Sequence, residues 1–120
     1  MTTDLITRRK VAENSRWSIF FDEIRDSLGR HVPDYMVASP KRLGPDLCGG
    51  VAVIAERQGQ IGLLNLYRHA IARPGLEVVK GFLEDGEGPI DAARRELAEE
   101  AGLACAPDDL IELGPTAPEA

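Results

Sequence analysis

The sequence is short of almost everything that would mark a secreted, membrane-bound or nucleic-acid-binding chain. It has two cysteines, Cys48 and Cys105, too few and too far apart for a disulfide framework or a zinc site, so reduced thiols are expected. No run approaches the roughly 18 apolar residues of a membrane span. The start, MTTDLITRRK, is basic but is not followed by the apolar stretch of a signal peptide. These absences point to the cytoplasm. Cationic residues are outnumbered: the net charge is −6, which argues against the basic face of a nucleic-acid binder. Aromatics are scarce, with one Trp, two Tyr and three Phe.

What is present suffices for one modest core: 120 residues, 43% of them hydrophobic and 28% charged. After a polar start, residues 17–25 alternate in period two and read as a strand. Trp17, Phe20 and Phe21 fall within it, and such aromatics serve packing or a subunit interface, the alternative being a ring that stacks on a base. Asp26-Ser27-Leu28-Gly29 has turn chemistry, and residues 31–37 return as the second strand of a hairpin. Pro40, Gly44 and Pro45 mark a connector over residues 39–47. Residues 51–55 and 61–67 form the next hairpin around Gln58-Gly59. Arg68, His69 and Arg73 then make a basic loop on an acidic protein, and Arg68 is the candidate for gripping a phosphate, since its planar fork suits phosphate oxygens, the alternative being a surface salt bridge. Residues 76–79 form a short strand leading to Gly81. Beyond the helix described next, residues 103–106 and 111–113 read as strands, residues 107–109 as a turn or short helix start, and the tail GPTAPEA as loop.

The chain is organised around residues 81–103, GFLEDGEGPIDAARRELAEEAGL. Pro89 suits a first helical turn and Gly102 the position just past a helix end, so the spacing predicts a helix from about Pro89 to about Ala101. Ile90, Ala93, Leu97 and Ala101 recur at three- and four-residue steps and should face a core, leaving Glu96, Glu99 and Glu100 on the other side. Glu96 neighbours both other glutamates on the helix surface, where like charges repel. The last turn is also the dipole end that disfavours anions. A hard divalent cation with oxygen ligands would relieve both effects.

Gly81, Glu87, Arg95, Glu96, Leu97, Glu99, Glu100, Gly102 and Leu103 fall at the spacing G, five residues, E, seven residues, R-E-aliphatic-x-E-E-x-G-aliphatic. With average residue usage such a match arises by chance on the order of once in a billion starts. The pattern resembles the Nudix box of the Nudix hydrolases. The hairpin, then L-Y-R-H, then L-E-V-V-K-G-F entering the box, looks like the ADP-ribose pyrophosphatase branch of that family. The resemblance implies an α/β fold of the Nudix type, an α/β/α sandwich with a mixed sheet, here with an extra N-terminal β-hairpin and without the C-terminal part. Residues 1–47 would be N-terminal strands that build a homodimer, and residues 48–120 the catalytic domain, incomplete at its C-terminus.

The resemblance also implies the chemistry. Glu96 and Glu100 would be the main magnesium ligands, Glu99 would share a second ion and Glu87 would support the cluster. The Lys80 carbonyl would complete the site, with manganese as a substitute metal. Arg95 would orient the carboxylates, Arg68 would hold a phosphate and Glu77 would be an accessory acidic contact. The implied reaction is hydrolysis of the pyrophosphate bond of ADP-ribose or a related nucleotide sugar, giving AMP and sugar phosphate. The alternatives are a nucleotide-sensing module without turnover, or a pyrophosphatase for another dinucleotide. Two residues depart from the branch: Val78 stands where related sequences have proline, and Lys80 where they have a small residue. A Lys80 cation beside the metal site would alter substrate choice. The expected partner is a small nucleotide sugar, with no nucleic acid and no membrane.

Overall fold

The period-two run at residues 17–25 and the Asp26 turn set up a hairpin near the N-terminus in a computed structural model that describes residues 2–117. The chain divides into two compact units, the first reaching Arg42 and the second running Leu43–Pro115. The first unit is a three-stranded antiparallel sheet in the order β1 (Thr3–Glu13), β2 (Trp17–Asp26) and β3 (His31–Pro40). The expected hairpin is β2 and β3. Its turn is held by the Asp26 carboxylate, which accepts from the backbone N–H groups of Leu28 and Arg30 at 2.9 Å each.

The supposedly polar start is a third strand. It has no buried face, since every residue of β1 is exposed, and it is held by cross-strand pairs instead. Arg8 stands opposite Asp22 and forks onto its two oxygens at 2.8 and 2.7 Å. Asp22 is buried, and this bond holds its carboxyl below the ordinary range. The guanidinium carbons of Arg8 and Arg9 lie 4.9 and 5.6 Å from the ring centres of Phe20 and Phe21. These stacks account for two of the chain's few aromatics.

The second unit is built from short antiparallel pairs: β4 (Gly50–Val53) with β9 (Val79–Phe82), β5 (Ala55–Arg57) with β6 (Gln60–Gly62), and β7 (Leu64–Arg68) with β8 (Arg73–Glu77). A 3₁₀ turn, His69–Ile71, links β7 to β8, so the basic loop is tighter than expected and Arg68 and Arg73 are strand ends paired to each other. Helix α1 (Pro89–Ala101) packs on β9 and β4. Its bounds are those the sequence predicts. The core is Val53, Val79, Ala93 and Leu97, flanked by Val51, Ala55, Leu64, Ala101, Cys105 and Leu110. Of the expected sandwich, the described residues of this unit supply one helix and antiparallel strand pairs.

Three expectations fail locally. Ile90 is exposed rather than in the core, while Glu96 is buried, because the buried stripe of α1 is Ala92, Ala93, Glu96 and Leu97. The stripe is turned toward β9, where Gly81 leaves room for a carboxylate. Residues 103–106 and 111–113 form no strand: neither stretch has regular secondary structure, and Ile111 and Leu113 are more than 80% exposed. A 3₁₀ turn at Pro107–Asp109 lies between them, closed by Asp109 accepting from the Ala106 N–H at 2.9 Å. The last three residues of the tail lie outside the described residues. Among the described residues no helix is long and apolar enough to cross a membrane.

Candidate active site

Strand β9 brings the chain to the site, and its two edges do different work. Along a strand, the N–H and C=O of one residue point to the same edge, and the next residue's point to the other. Gly81 faces β4 so closely that a Cβ on Gly50 would fall 2.5 Å from the Gly81 oxygen, which explains the glycine there. Leu83, two residues on, donates to Gly49 O at 3.1 Å on that same side. Lys80 and Phe82 turn to the opposite edge. There the Lys80 N–H donates to Glu100 Oε2 at 3.3 Å, and the Phe82 carbonyl accepts from Arg95 Nη2 at 2.9 Å. Side chains of α1 thus occupy an edge that pairs with no strand among the described residues.

Gly81 has a second role. A Cβ built on it would overlap the Glu96 carboxylate, so glycine is required for the helix carboxylate to lie against the strand. Glu96 is thereby buried at the strand while Glu99 and Glu100, one turn on, are exposed.

Arg95 organises what surrounds it. A guanidinium carries five N–H donors, and each finds an acceptor here. Nε and Nη2 fork onto Glu87 at 2.8 and 2.9 Å, and Nη1 donates to Glu96 Oε1 at 2.7 Å and to Glu99 Oε2 at 3.2 Å. Nη2 also takes the Phe82 carbonyl described above. Hydrogen bonding from Arg95, then from the Glu84 N–H, lowers the Glu87 carboxyl from 4.5 to about 2. Glu87 and then Glu96 raise the Arg95 pKa, so its charge is permanent. The loop is closed by Glu84 N–H to Glu87 Oε2, 2.9 Å, and Glu87 N–H to Glu84 O, 3.1 Å.

A second ionic group stands on β7, β8 and β9. Arg68 donates from Nε and Nη2 to both oxygens of Glu77, and Lys80 Nζ lies 2.8 Å from Glu77 Oε2. Arg68 and then Lys80 pull the Glu77 carboxyl down to about 2, and Glu100 adds to the field that raises the Arg68 pKa. The structure therefore brings Glu87, Arg95, Glu96 and Glu99 into one network. It joins Glu100 to the Lys80 backbone and links Lys80, Glu77 and Arg68 beside it. No side-chain pattern points to the Phe82 carbonyl or to Gly50, since both act through the main chain.

A hard divalent cation is a chemical match for this donor set of carboxylates and main-chain oxygen. Gly81 leaves the space for a carboxylate that a side chain would fill. Among the described residues no three acidic, histidine or cysteine side chains are drawn together around a common point. Three of the carboxylates are instead spread about Arg95.

Comparisons with known proteins identify the family of the chain. The family model of the NUDIX domain matches residues 48–118, more than half of the chain. A methanol dehydrogenase activator of Bacillus methanolicus is 41% identical over 58 residues, covering 48% of this chain and 31% of that protein. A UPF0301 protein of Anaeromyxobacter sp. (strain K) is 37% identical over 91 residues, covering 73% of this chain and 40% of that protein. The crystal structure of an ADP compounds hydrolase superposes with a TM-score of 0.56 at 20% identity, covering 85% of this chain and 52% of that one. The chain belongs to the family of Nudix hydrolases. It spans less than half the length of the two curated relatives and about half of the solved structure.

Proposed function

We propose that this chain carries the catalytic segment of a divalent-metal-dependent pyrophosphohydrolase acting on ADP-ribose or a related nucleoside diphosphate sugar. The observation that carries the reading is the grouping of Glu87, Glu96 and Glu99 by four of the five donors of Arg95, beside a strand edge to which Glu100 is also bonded. The fold-level likeness to an ADP compounds hydrolase supports the choice of substrate class.

Glu96 and Glu100 would hold the metal, with Glu99 sharing a second ion and Glu87 acting through Arg95. Because the Lys80 N–H points to Glu100, the Lys80 carbonyl points to that same edge, which supports it as an additional ligand. When bound, magnesium or manganese supplies charge neutralisation of the diphosphate and lowers the pKa of an attacking water. The chain's own residues then divide the remaining work. Arg95 keeps the carboxylates in register, Arg68 and Glu77 stand at the phosphate side, and an exposed carboxylate such as Glu99 accepts the water proton. The products would be AMP and a sugar phosphate. We place the activity in the cytoplasm, on a small-molecule substrate rather than nucleic acid or membrane, and in a homodimer formed through the N-terminal strands.

The test is incubation of the chain with ADP-ribose and magnesium, following AMP and ribose 5-phosphate, with and without a chelator. Metal-dependent formation of both products is expected. Binding of ADP-ribose without any product would favour the sensing module instead.

A further inference from the structure

We propose that the side chain of Lys80 is a second phosphate-gripping cation that acts with Arg68, and that Glu77 is the positioning residue that holds both. The proposal rests on the pyrophosphohydrolase reading and adds to it a specificity-determining contact. One carboxylate, Glu77, joins a guanidinium from β7 and an ammonium from β9, so two cations on different strands are fixed side by side. The fork onto Glu77 uses Nε and Nη2 of Arg68 and leaves Nη1 outside it. An ammonium has three donors and needs one for Glu77. Both cations can therefore keep Glu77 and still donate to a further anion, and the group carries an excess positive charge.

The position of that charge follows from the backbone of the same residue. The Lys80 N–H donates to Glu100, so the ammonium is tethered within one side-chain length of a proposed metal ligand. Lys80 and Arg68 are about half exposed, whereas Glu77 is largely buried, so the cations face solvent with the anion behind them. Two solvent-facing cations on neighbouring strands at the edge of a carboxylate site fit a diphosphate, which presents anionic oxygens on two adjacent phosphorus atoms, one for each cation. The chemical class favoured is a nucleoside diphosphate derivative over a nucleoside monophosphate.

The experiment compares wild type, Lys80→Met and Lys80→Arg in two assays. The first is calorimetric binding of ADP-ribose in chelator, and the second is AMP release with magnesium, giving KM and kcat separately. The expected result is that Lys80→Met weakens binding and raises KM by about 5- to 15-fold, the net scale of one hydrogen bond at a half-exposed position, with kcat within about 2-fold. Lys80→Arg should stay near wild type, and thermal stability should be similar in all three, since an exposed ion pair contributes little. Unchanged binding and KM in Lys80→Met, with AMP still released, would overturn the role of Lys80 and leave the pyrophosphohydrolase reading standing. Neither binding nor AMP release by the wild type would overturn both.

Discussion

Arg95 meets five acceptors with five donors, and a lysine there would meet them with three from a single point. Arg95→Lys should therefore release Glu99 and the Phe82 carbonyl first and lower turnover by roughly 10- to 100-fold, the range seen when the support of metal ligands is removed. Steady-state kinetics on the folded variant check this, and unchanged turnover would show that Arg95 does not position the site. Glu87 gives a prediction in pH. Its carboxyl is lowered from 4.5 to about 2 by Arg95, so its ion pair stabilises the fold fully above about pH 4.5 and is lost as pH falls toward 2. Glu77 titrates over the same window through Arg68 and Lys80. Melting temperature should thus decline from pH 4.5 to 2 in the wild type, and the decline should be shallower in Glu87→Gln. Equal slopes would mean that the Glu87 pair adds nothing to the pH response.

At the scale of elements, α1 is bounded by backbone chemistry. Gly102 has φ +64°, its N–H donates to Ala98 O at 3.1 Å and the Leu103 N–H to Leu97 O at 3.1 Å. Nothing crowds a Cβ at Gly102, so Gly102→Ala should cost only the left-handed backbone strain, about 1 kcal/mol. Leu97, 5% exposed in the core, should cost roughly 3 kcal/mol on truncation to alanine. Denaturant unfolding of both variants measures the contrast, and a Gly102→Ala loss as large as that of Leu97→Ala would contradict it. The helix was legible in the sequence because Pro89 and Gly102 act locally. Strand β1 was not, because it has no buried face to leave a periodic apolar signal, and its cross-strand pairs with Asp22 and the Phe20 and Phe21 rings are visible only once β2 is beside it. The burial of Glu96 was hidden for a similar reason: it depends on how closely Gly81 lets β9 approach the helix. The box residues themselves were legible by type and spacing. Which of them would surround Arg95, and that Arg68 would be engaged by Glu77, needed the strands in place.

At the scale of the whole molecule, the site residues all belong to the unit Leu43–Pro115, while the N-terminal sheet forms a unit of its own. The matched relatives and solved structure extend well beyond the length of this chain. The central claim is that the carboxylates arranged about Arg95 and Lys80 are the groups that act on a nucleoside diphosphate sugar. The most direct test is AMP release from ADP-ribose with magnesium by this 120-residue chain, with Glu100→Gln run beside it. Removing one carboxylate charge while keeping its volume should abolish release and leave the melting temperature nearly unchanged, because Glu100 is exposed. AMP released as fast by Glu100→Gln as by the wild type would contradict the claim and move the chemistry elsewhere.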